Sequence, residues 1–287
     1  MPFNFQTFRV RALTAVVFVV FMLGGLLWNQ WSFLVLFSVI HIGCWIEYTS
    51  LIGKIDSRYQ GISALHKAGA VTAGLGFMCW MTDKEYKIGT VFLHQIGGLV
   101  LLAALTGLLL IKLIKARMPD WKIIGYTAGG LLYISLSWGL LTDLYNEMFS
   151  PEFPESGWLL PMLIIATIWI NDTMAYLVGS FIGKTPFSPI SPKKTWEGTI
   201  GGAILAVFVV TTTAVLWLQL DVVQMLVITV TAAVMGTLGD LLESKLKRMA
   251  GVKDSGSFMP GHGGFLDRFD SLLLATPYVW LLLFLLR

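Results

Sequence analysis

Charged and glycine residues are concentrated between Gly239 and Ser271 in a chain that is otherwise mostly apolar. Grouped carboxylates suit a hard cation such as Mg²⁺, which takes oxygen ligands and keeps coordination positions for substrate phosphates. Lysine and arginine suit the phosphates themselves, and a glycine-rich turn lets backbone N–H groups approach an anion. The segment therefore predicts metal-dependent phosphoryl or nucleotidyl transfer, the alternative being a solvated loop between two membrane helices. Its charged residues are Asp240, Glu243, Asp254, Asp267, Asp270, Lys245, Lys247, Arg248, Lys253 and Arg268.

A second polar stretch begins at Asn171 and Asp172, inside an apolar segment. A carboxylate within a membrane helix costs at least about 2.5–3.5 kcal/mol on insertion scales, so it usually faces a bundle interior or a water-filled cavity. The alternative is a helix-packing hydrogen bond from Asp172 to a neighbouring helix.

A basic, hydroxyl-rich loop follows this segment. It lacks the GxxxxGK[ST] spacing of a Walker A motif, yet its chemistry could bind a triphosphate or a lipid phosphate. Positive charge set by membrane topology alone is the alternative. The residues concerned are Lys184, Ser191, Lys193, Lys194 and Thr195.

The composition is that of a membrane protein. Of the 287 residues, 56% are hydrophobic and 13% are charged, whereas about 25% are charged in a typical soluble domain. Apolar segments of about 20 residues recur along the chain. The net charge of +3 is too small to indicate nucleic-acid binding. Cys44 and Cys79 both lie in apolar segments and indicate neither a disulfide nor a metal site.

We predict an all-α polytopic membrane protein with about nine transmembrane helices, a cytoplasmic N-terminus and an extracytoplasmic C-terminus. With this topology, only Lys84, Lys87 and Arg287 of the 20 lysine and arginine residues fall outside, as the positive-inside rule requires. The acidic loop from Asp143 to Ser156 also falls outside, while both polar stretches face the cytoplasm, where nucleotides are. The predicted spans lie at about 10–28, 31–51, 62–82, 90–112, 123–142, 157–182, 198–219, 222–243 and 271–286.

Two regions follow from this count. Residues 1–156 are predicted to form N-terminal membrane helices, spans one to five. Residues 157–287 are predicted to form a catalytic membrane region, spans six to nine, with cytoplasmic loops at 183–197 and 244–270.

Several runs of residues resemble the signature of the phosphatidate cytidylyltransferases, or CDP-diacylglycerol synthases. The first block comprises SKLKR at 244–248, KDSG at 253–256, PGHGG at 260–264 and DRFD at 267–270. The second comprises NDTMAY at 171–176 and SPKKTWEG at 191–198. One departure is Met259, where the family more often has Leu, Ile or Phe. The resemblance implies transfer of a cytidylyl group from CTP to phosphatidic acid, which gives CDP-diacylglycerol and pyrophosphate in phospholipid biosynthesis.

By resemblance and by chemistry, we expect Asp240 and Asp267 to be the principal Mg²⁺ ligands, with Lys253 and Arg268 as further catalytic residues. A second cation, monovalent or divalent, is left open. Because a phosphate monoester is already ionised near neutral pH, we expect His262 to donate to phosphate instead of acting as a base. Glu47, near the inner end of the second span, is open to two interpretations, as a residue that lines the cavity or as the partner of a lysine on the cytoplasmic side. The candidates for substrate binding or support of the site are Asn171, Asp172, Lys184, Ser191, Lys193, Lys194, Thr195, Glu243, Ser244, Lys247, Arg248, Asp254, Ser255, Gly261, His262, Gly263, Gly264 and Asp270.

The expected partners are CTP, phosphatidic acid and the lipid bilayer, without nucleic acid, and the resemblance also implies a homodimer. We expect an integral protein of the cytoplasmic (inner) membrane with its active site facing the cytoplasm. One alternative is a CTP-dependent lipid kinase or a cytidylyltransferase for another lipid phosphate. A second is a secondary transporter in which Asp172 and Asp240 bind coupling ions, although no repeated halves are present. A third, a membrane scaffold, gives no reason for the Asp/Lys/Gly cluster.

Overall fold

The computed structural model describes residues 5–114, 120–146, 157–258 and 263–286. The described chain is almost entirely helical, which confirms the all-α prediction. Its helices are α1 (Phe5–Leu27), α2 (Gln30–Ile55), α3 (Ser57–Gln60), α4 (Ala64–Trp80), α5 (Leu93–Ile114), α6 (Trp121–Gly130), α7 (Leu136–Asn146), α8 (Leu159–Ile182), α9 (Trp196–Leu218), α10 (Val222–Met249) and α11 (Leu266–Leu285). A π-helical turn, Leu131–Ser135, joins α6 to α7.

Two short antiparallel hairpins interrupt this helical order. Strands β1 (Lys87–Ile88) and β2 (Val91–Phe92) pair before α5. Strands β3 (Pro186–Ser188) and β4 (Ser191–Thr195) pair between α8 and α9. The second hairpin carries the basic, hydroxyl-rich loop identified in the sequence.

Seven helical segments of the described chain are long and apolar enough to cross a membrane, as expected of a polytopic membrane protein. The helix α4 has 17 residues, and the apolar part of α1 is Leu13–Leu27, so both are shorter. The seven are Gln30–Ile55, Leu93–Ile111, Trp121–Asn146, Leu159–Ile182, Trp196–Leu218, Val222–Met249 and Leu266–Leu285.

The chain divides into two compact units. The first contains Met1–Asp143 and Met249–Phe269, and the second contains Leu144–Arg248 and Asp270–Arg287. This division differs from the predicted boundary at residue 156, because the segment Met249–Phe269 belongs with the N-terminal helices. Hydrogen bonds from this segment to Glu47 on α2 are the physical reason.

The helix bounds also differ from the predicted loop 244–270. The helix α10 continues to Met249, and α11 begins at Leu266. Glu243 and Lys247 form an ion pair one turn apart on α10, which favours helix beyond the end of the apolar segment.

Aromatic and polar side chains fill the core of the first unit. The Trp138 ring lies 5.1 Å from Phe37 and 5.4 Å from Phe269, measured between ring centroids. The π-helical turn places Ser135 Oγ 3.0 Å from His41 Nε2 and 2.9 Å from Trp45 Nε1. Two buried polar atoms of α2, His41 Nε2 and Trp45 Nε1, therefore share one partner on the π-helical turn of their own unit.

In the second unit, glycine residues bring α8 and α9 close together. A Cβ added at Gly202 on α9 would lie 2.6 Å from the backbone N of Ala175 and 2.7 Å from the backbone O of Asn171. Small residues at a helix interface let the backbones approach in this way. The close approach fixes the part of α8 that carries Asn171 and Asp172.

We expect Gly202→Ala to destabilise the protein by about 1–3 kcal/mol, because an added methyl group must push α8 and α9 apart. Thermal unfolding in detergent measures this change. The control is Gly107→Ala on α5, where an added Cβ would have nothing within 4 Å. Equal melting temperatures for the two variants would show that the α8–α9 contact is not tight.

Candidate active site

A cavity of about 460 Å³ lies in the second unit, lined by α8, the β3–β4 hairpin, α9 and α10. Predicted site residues from both polar stretches line this cavity. Its carboxylates can bind cations, and its lysines can bind anions. The predicted residues that line it are Asn171, Asp172, Ser191, Lys193, Lys194, Thr195 and Asp240.

On α8, the side chain of Asn171 links the cavity wall to α10. It is 2% exposed, and its Nδ2 lies 3.4 Å from Thr237 Oγ1 and 3.4 Å from Asp172 Oδ1. Its Oδ1 is buried and has no hydrogen-bond partner within the described part of the chain. Asp172 itself is exposed, and its hydrogen bond comes from its neighbour on the same helix. The helix-packing contact is therefore made by Asn171 instead of Asp172.

On α10, Asp240 is paired with a lysine of the β3–β4 hairpin. Lys194 Nζ forms an ion pair with Asp240 Oδ2, and each of these two side chains is 28% exposed. Ser244, one helical turn later, donates a hydrogen bond to Asp240 Oδ1 at 3.2 Å. Charge-assisted hydrogen bonds of this kind are stronger than neutral ones. Lys194 is thus directed at a cavity carboxylate, a placement that membrane topology alone does not explain.

The hairpin is held at its base by Glu197. Its carboxylate accepts hydrogen bonds from Lys184 N at 3.1 Å, Thr185 N at 3.2 Å and Thr185 Oγ1 at 2.8 Å. The side chain of Lys184 is exposed and is absent from the cavity lining, so its predicted substrate contact stays a prediction. Thr195 lines the cavity and also caps α9, because its Oγ1 accepts from Gly198 N at 3.2 Å.

Sequence reasoning did not name Glu197, at the base of the hairpin, or Thr237, in the cavity lining, as site residues. Glu197 stands inside the SPKKTWEG run, and its acidic side chain in the first turn of a helix was the available signal. Thr237 lies three residues before Asp240, so helical spacing places both on one face of α10.

The other second-unit candidates lie outside the cavity lining. Glu243 is fully buried and pairs with Lys247, whose side chain is 14% exposed. Asp270 is 8% exposed and accepts a hydrogen bond from Ser271 N at 2.7 Å. Arg248 is exposed at the end of α10. The substrate contacts predicted for these residues stay predictions.

In the first unit, backbone and hydroxyl groups surround the carboxylate of Asp267. Its Oδ2 accepts from Ser255 N at 2.8 Å, Ser255 Oγ at 2.9 Å and Gly264 N at 2.8 Å. Gly263 has a φ of 83°, a left-handed conformation that favours glycine. The N–H of Gly264 therefore binds a protein carboxylate here, and its predicted contact with substrate phosphate stays a prediction.

Three further candidates are exposed. They are Arg268, which follows Asp267 in the sequence, and Lys253 and Asp254, which precede Ser255. Gly261 and His262 lie outside the described residues. Asp240 belongs to the second unit and Asp267 to the first, and their shared metal site stays a prediction.

The donor set of the cavity fits a hard divalent cation. Two carboxylates, Asp172 and Asp240, line it together with Asn171 and Thr237. Among the described residues, no group of three or more His, Cys, Asp or Glu is placed to hold a metal ion. Mg²⁺ is commonly bound by one or two carboxylates with water and substrate phosphates, so a small carboxylate set suits it.

This combination of apolar helices, carboxylates and lysines corresponds to a known class of membrane transferase. The sequence profile of the cytidylyltransferase family matches residues 9–286, so the chain belongs to that family. Phosphatidate cytidylyltransferase of Thermotoga maritima is 31% identical over 248 residues, which cover 82% of this chain and 87% of the relative. The enzyme of the same name from Bacillus subtilis is 38% identical over 162 residues, covering 56% of this chain and 58% of the relative.

A third relative of the same name, from Synechocystis, is 42% identical over 139 residues, covering 47% of each chain. The alignments to Bacillus subtilis and Synechocystis thus span about half of those relatives. The alignment to Thermotoga maritima spans most of the relative. The resemblance seen in the sequence motifs is confirmed.

Proposed function

We propose that this chain transfers a cytidylyl group from CTP to phosphatidate, giving CDP-diacylglycerol and pyrophosphate. The observation that carries the proposal is the cavity in which the carboxylates Asp172 and Asp240 lie with the lysines Lys193 and Lys194. The names of the relatives and the apolar helices support a lipid phosphate as the acceptor.

In this reaction, a phosphate oxygen of phosphatidate attacks the α-phosphorus of CTP. A new P–O bond forms, the bond from the α-phosphorus to the bridging oxygen breaks, and pyrophosphate leaves with that electron pair. The attacking phosphate is ionised near neutral pH, so no strong base is needed. Repulsion between the two anionic substrates is the main obstacle, and fixed positive charge reduces it.

The lysines of the hairpin supply this charge in the proposal. Lys193 is exposed at the cavity. Lys194 is paired with Asp240 and would contact a phosphate group that enters the cavity. A divalent cation held by Asp240, with Asp172 as a supporting carboxylate, would neutralise phosphate charge and orient the triphosphate. Asp267 is retained as a second proposed metal ligand on the family resemblance.

The test of the function is incubation of the purified protein with phosphatidate, radiolabelled CTP and Mg²⁺. We expect label in the lipid fraction only when all three are present, and its loss with a chelator. Replacing phosphatidate by another lipid phosphate separates acceptors within the same chemistry. Absence of lipid label from folded protein would contradict the proposed activity.

We expect Asp240→Asn to lower turnover by roughly 10²–10³-fold, a magnitude typical of removing one group that stabilises charge in the transition state. The amide keeps the size of the side chain but removes the charge that pairs with Lys194. The matched control is Asp221→Asn, at the residue just before the N-terminus of α10. Asp221 Oδ1 accepts a hydrogen bond from Gln224 N at 2.8 Å, and the side-chain oxygen of asparagine can accept the same bond. Full turnover in Asp240→Asn would exclude Asp240 from the catalytic site.

The proposal includes nine membrane crossings with the N-terminus and the active site in the cytoplasm, in the inner membrane of a bacterial cell. The count requires α1 and α4 to cross together with the seven longer segments. The helix α4 spans about 26 Å at 1.5 Å per residue, slightly less than a hydrocarbon core of about 30 Å. A homodimer, implied by the family resemblance, is also part of the proposal, and mass measurement in detergent tests it.

Thiol labelling at the two ends of α4 tests this topology. In a variant with Cys44 and Cys79 replaced by alanine, we expect an impermeant maleimide to label Lys84→Cys in intact cells. Gln60→Cys should react only after the membrane is opened, because positive-inside topology places it in the cytoplasm. Labelling of both sites in intact cells would remove α4 from the crossing helices.

A further inference from the structure

Glu47 on α2 is a buried carboxylate to which the cytidylyltransfer mechanism assigns no role. It is 8% exposed, and three donors from a distant part of the chain converge on it. Its Oε1 accepts from Phe265 N at 2.9 Å, and its Oε2 accepts from Leu266 N at 2.8 Å and from Ser255 Oγ at 2.7 Å. The partners are more than 200 residues away in sequence, so this contact is made by tertiary structure alone.

Two glycines leave the space that this carboxylate occupies. A Cβ added at Gly256 or at Gly264 would collide with the Glu47 carboxylate. Any larger residue at either position would displace the side chain of Glu47. The KDSG and PGHGG runs of the sequence therefore each contain a glycine that makes room for this acid.

The hydroxyl of Ser255 lies between two carboxylates. Its Oγ is 2.7 Å from Glu47 Oε2 and 2.9 Å from Asp267 Oδ2. A serine hydroxyl has one hydrogen to donate, so the two acids share a single donor. Ser255 therefore links Glu47 to Asp267.

We propose that Glu47 is the positioning residue of the Asp267 turn, which we define as Ser255, Gly263, Gly264, Phe265 and Leu266. By fixing Ser255 and the amides of Phe265 and Leu266, Glu47 holds the first turn of α11 and the carboxylate of Asp267 in one orientation. This inference rests on the proposed function insofar as Asp267 serves cytidylyl transfer. The hydrogen bonds themselves do not depend on it.

The test is Glu47→Gln, which keeps the shape but turns an NH₂ group toward at least one donor. We expect kcat to fall about 10–100-fold and the Mg²⁺ concentration for half-maximal rate to rise, since loss of a partner that orients a metal ligand has effects of this size. The KM for CTP should change less. The second readout is hydrogen–deuterium exchange, with the amides of Phe265 and Leu266 exchanging at least about 10-fold faster.

The control for charge is Glu85→Gln, an exposed acid of the same unit, which should leave exchange and kcat unchanged. Should Glu47→Gln fail to fold, Glu47→Asp replaces it. That variant keeps the charge but withdraws the carboxylate, so we expect the same local exchange with a smaller loss of kcat.

Two results would overturn the inference. One is unchanged exchange at Phe265 and Leu266 together with unchanged kcat. The other is faster exchange spread evenly over α2 and α4 with a matching loss of melting temperature, which would mean a purely structural role. If the wild-type protein makes no lipid product, the proposed function fails, while the exchange data still decide whether Glu47 holds the turn.

Discussion

Carboxylates inside a largely apolar helical protein need donors or cations close by, and this requirement organises both units. Transfer of an ionised carboxylate out of water is costly unless it is paired or hydrogen-bonded. Glu47 meets the requirement with two backbone amides and a hydroxyl, and Asp267 meets it with the amides of Ser255 and Gly264. Asp240 and Glu243 instead pair with lysines. The acids thus fall into two groups, those bound by backbone amides and those paired with lysines.

The two kinds of partner have different consequences. The hydrogen bonds between Glu47 and two backbone amides hold the acid and the start of α11 together in one arrangement. A lysine on a hairpin can change partner when an anion or a cation arrives, so the Asp240–Lys194 pair is compatible with the charged substrates of the proposed reaction. Asn171, which lines the same cavity, has a buried Oδ1 that lacks a hydrogen-bond partner within the described chain. Buried polar atoms of this kind are uncommon, and a ligand is one explanation for them.

Sequence patterns predicted the class of fold, whereas the roles assigned to the site residues stay predictions. The apolar segments were sufficient to predict a polytopic helical protein. One cavity is lined by Asp240 and by residues of the second polar stretch. The β3–β4 hairpin was not predicted, because five residues with two lysines lack the alternation that indicates a strand. The role of Glu47 could not be predicted either, since its partners are distant in sequence and the glycines that make room for it give no local signal of that role.

The continuous run from Gly239 to Ser271 is not one structural element. Residues up to Arg248 and from Asp270 onward belong to the second unit, while Met249–Phe269 belongs to the first. Within it, Lys247 pairs with Glu243, and Ser255 and Gly264 bind Asp267. Several positions of a motif typical of a substrate-binding loop therefore form hydrogen bonds or ion pairs with acids of the protein itself. Substitution at such a position would disturb the geometry of these acids, even where the substituted side chain never contacts a substrate.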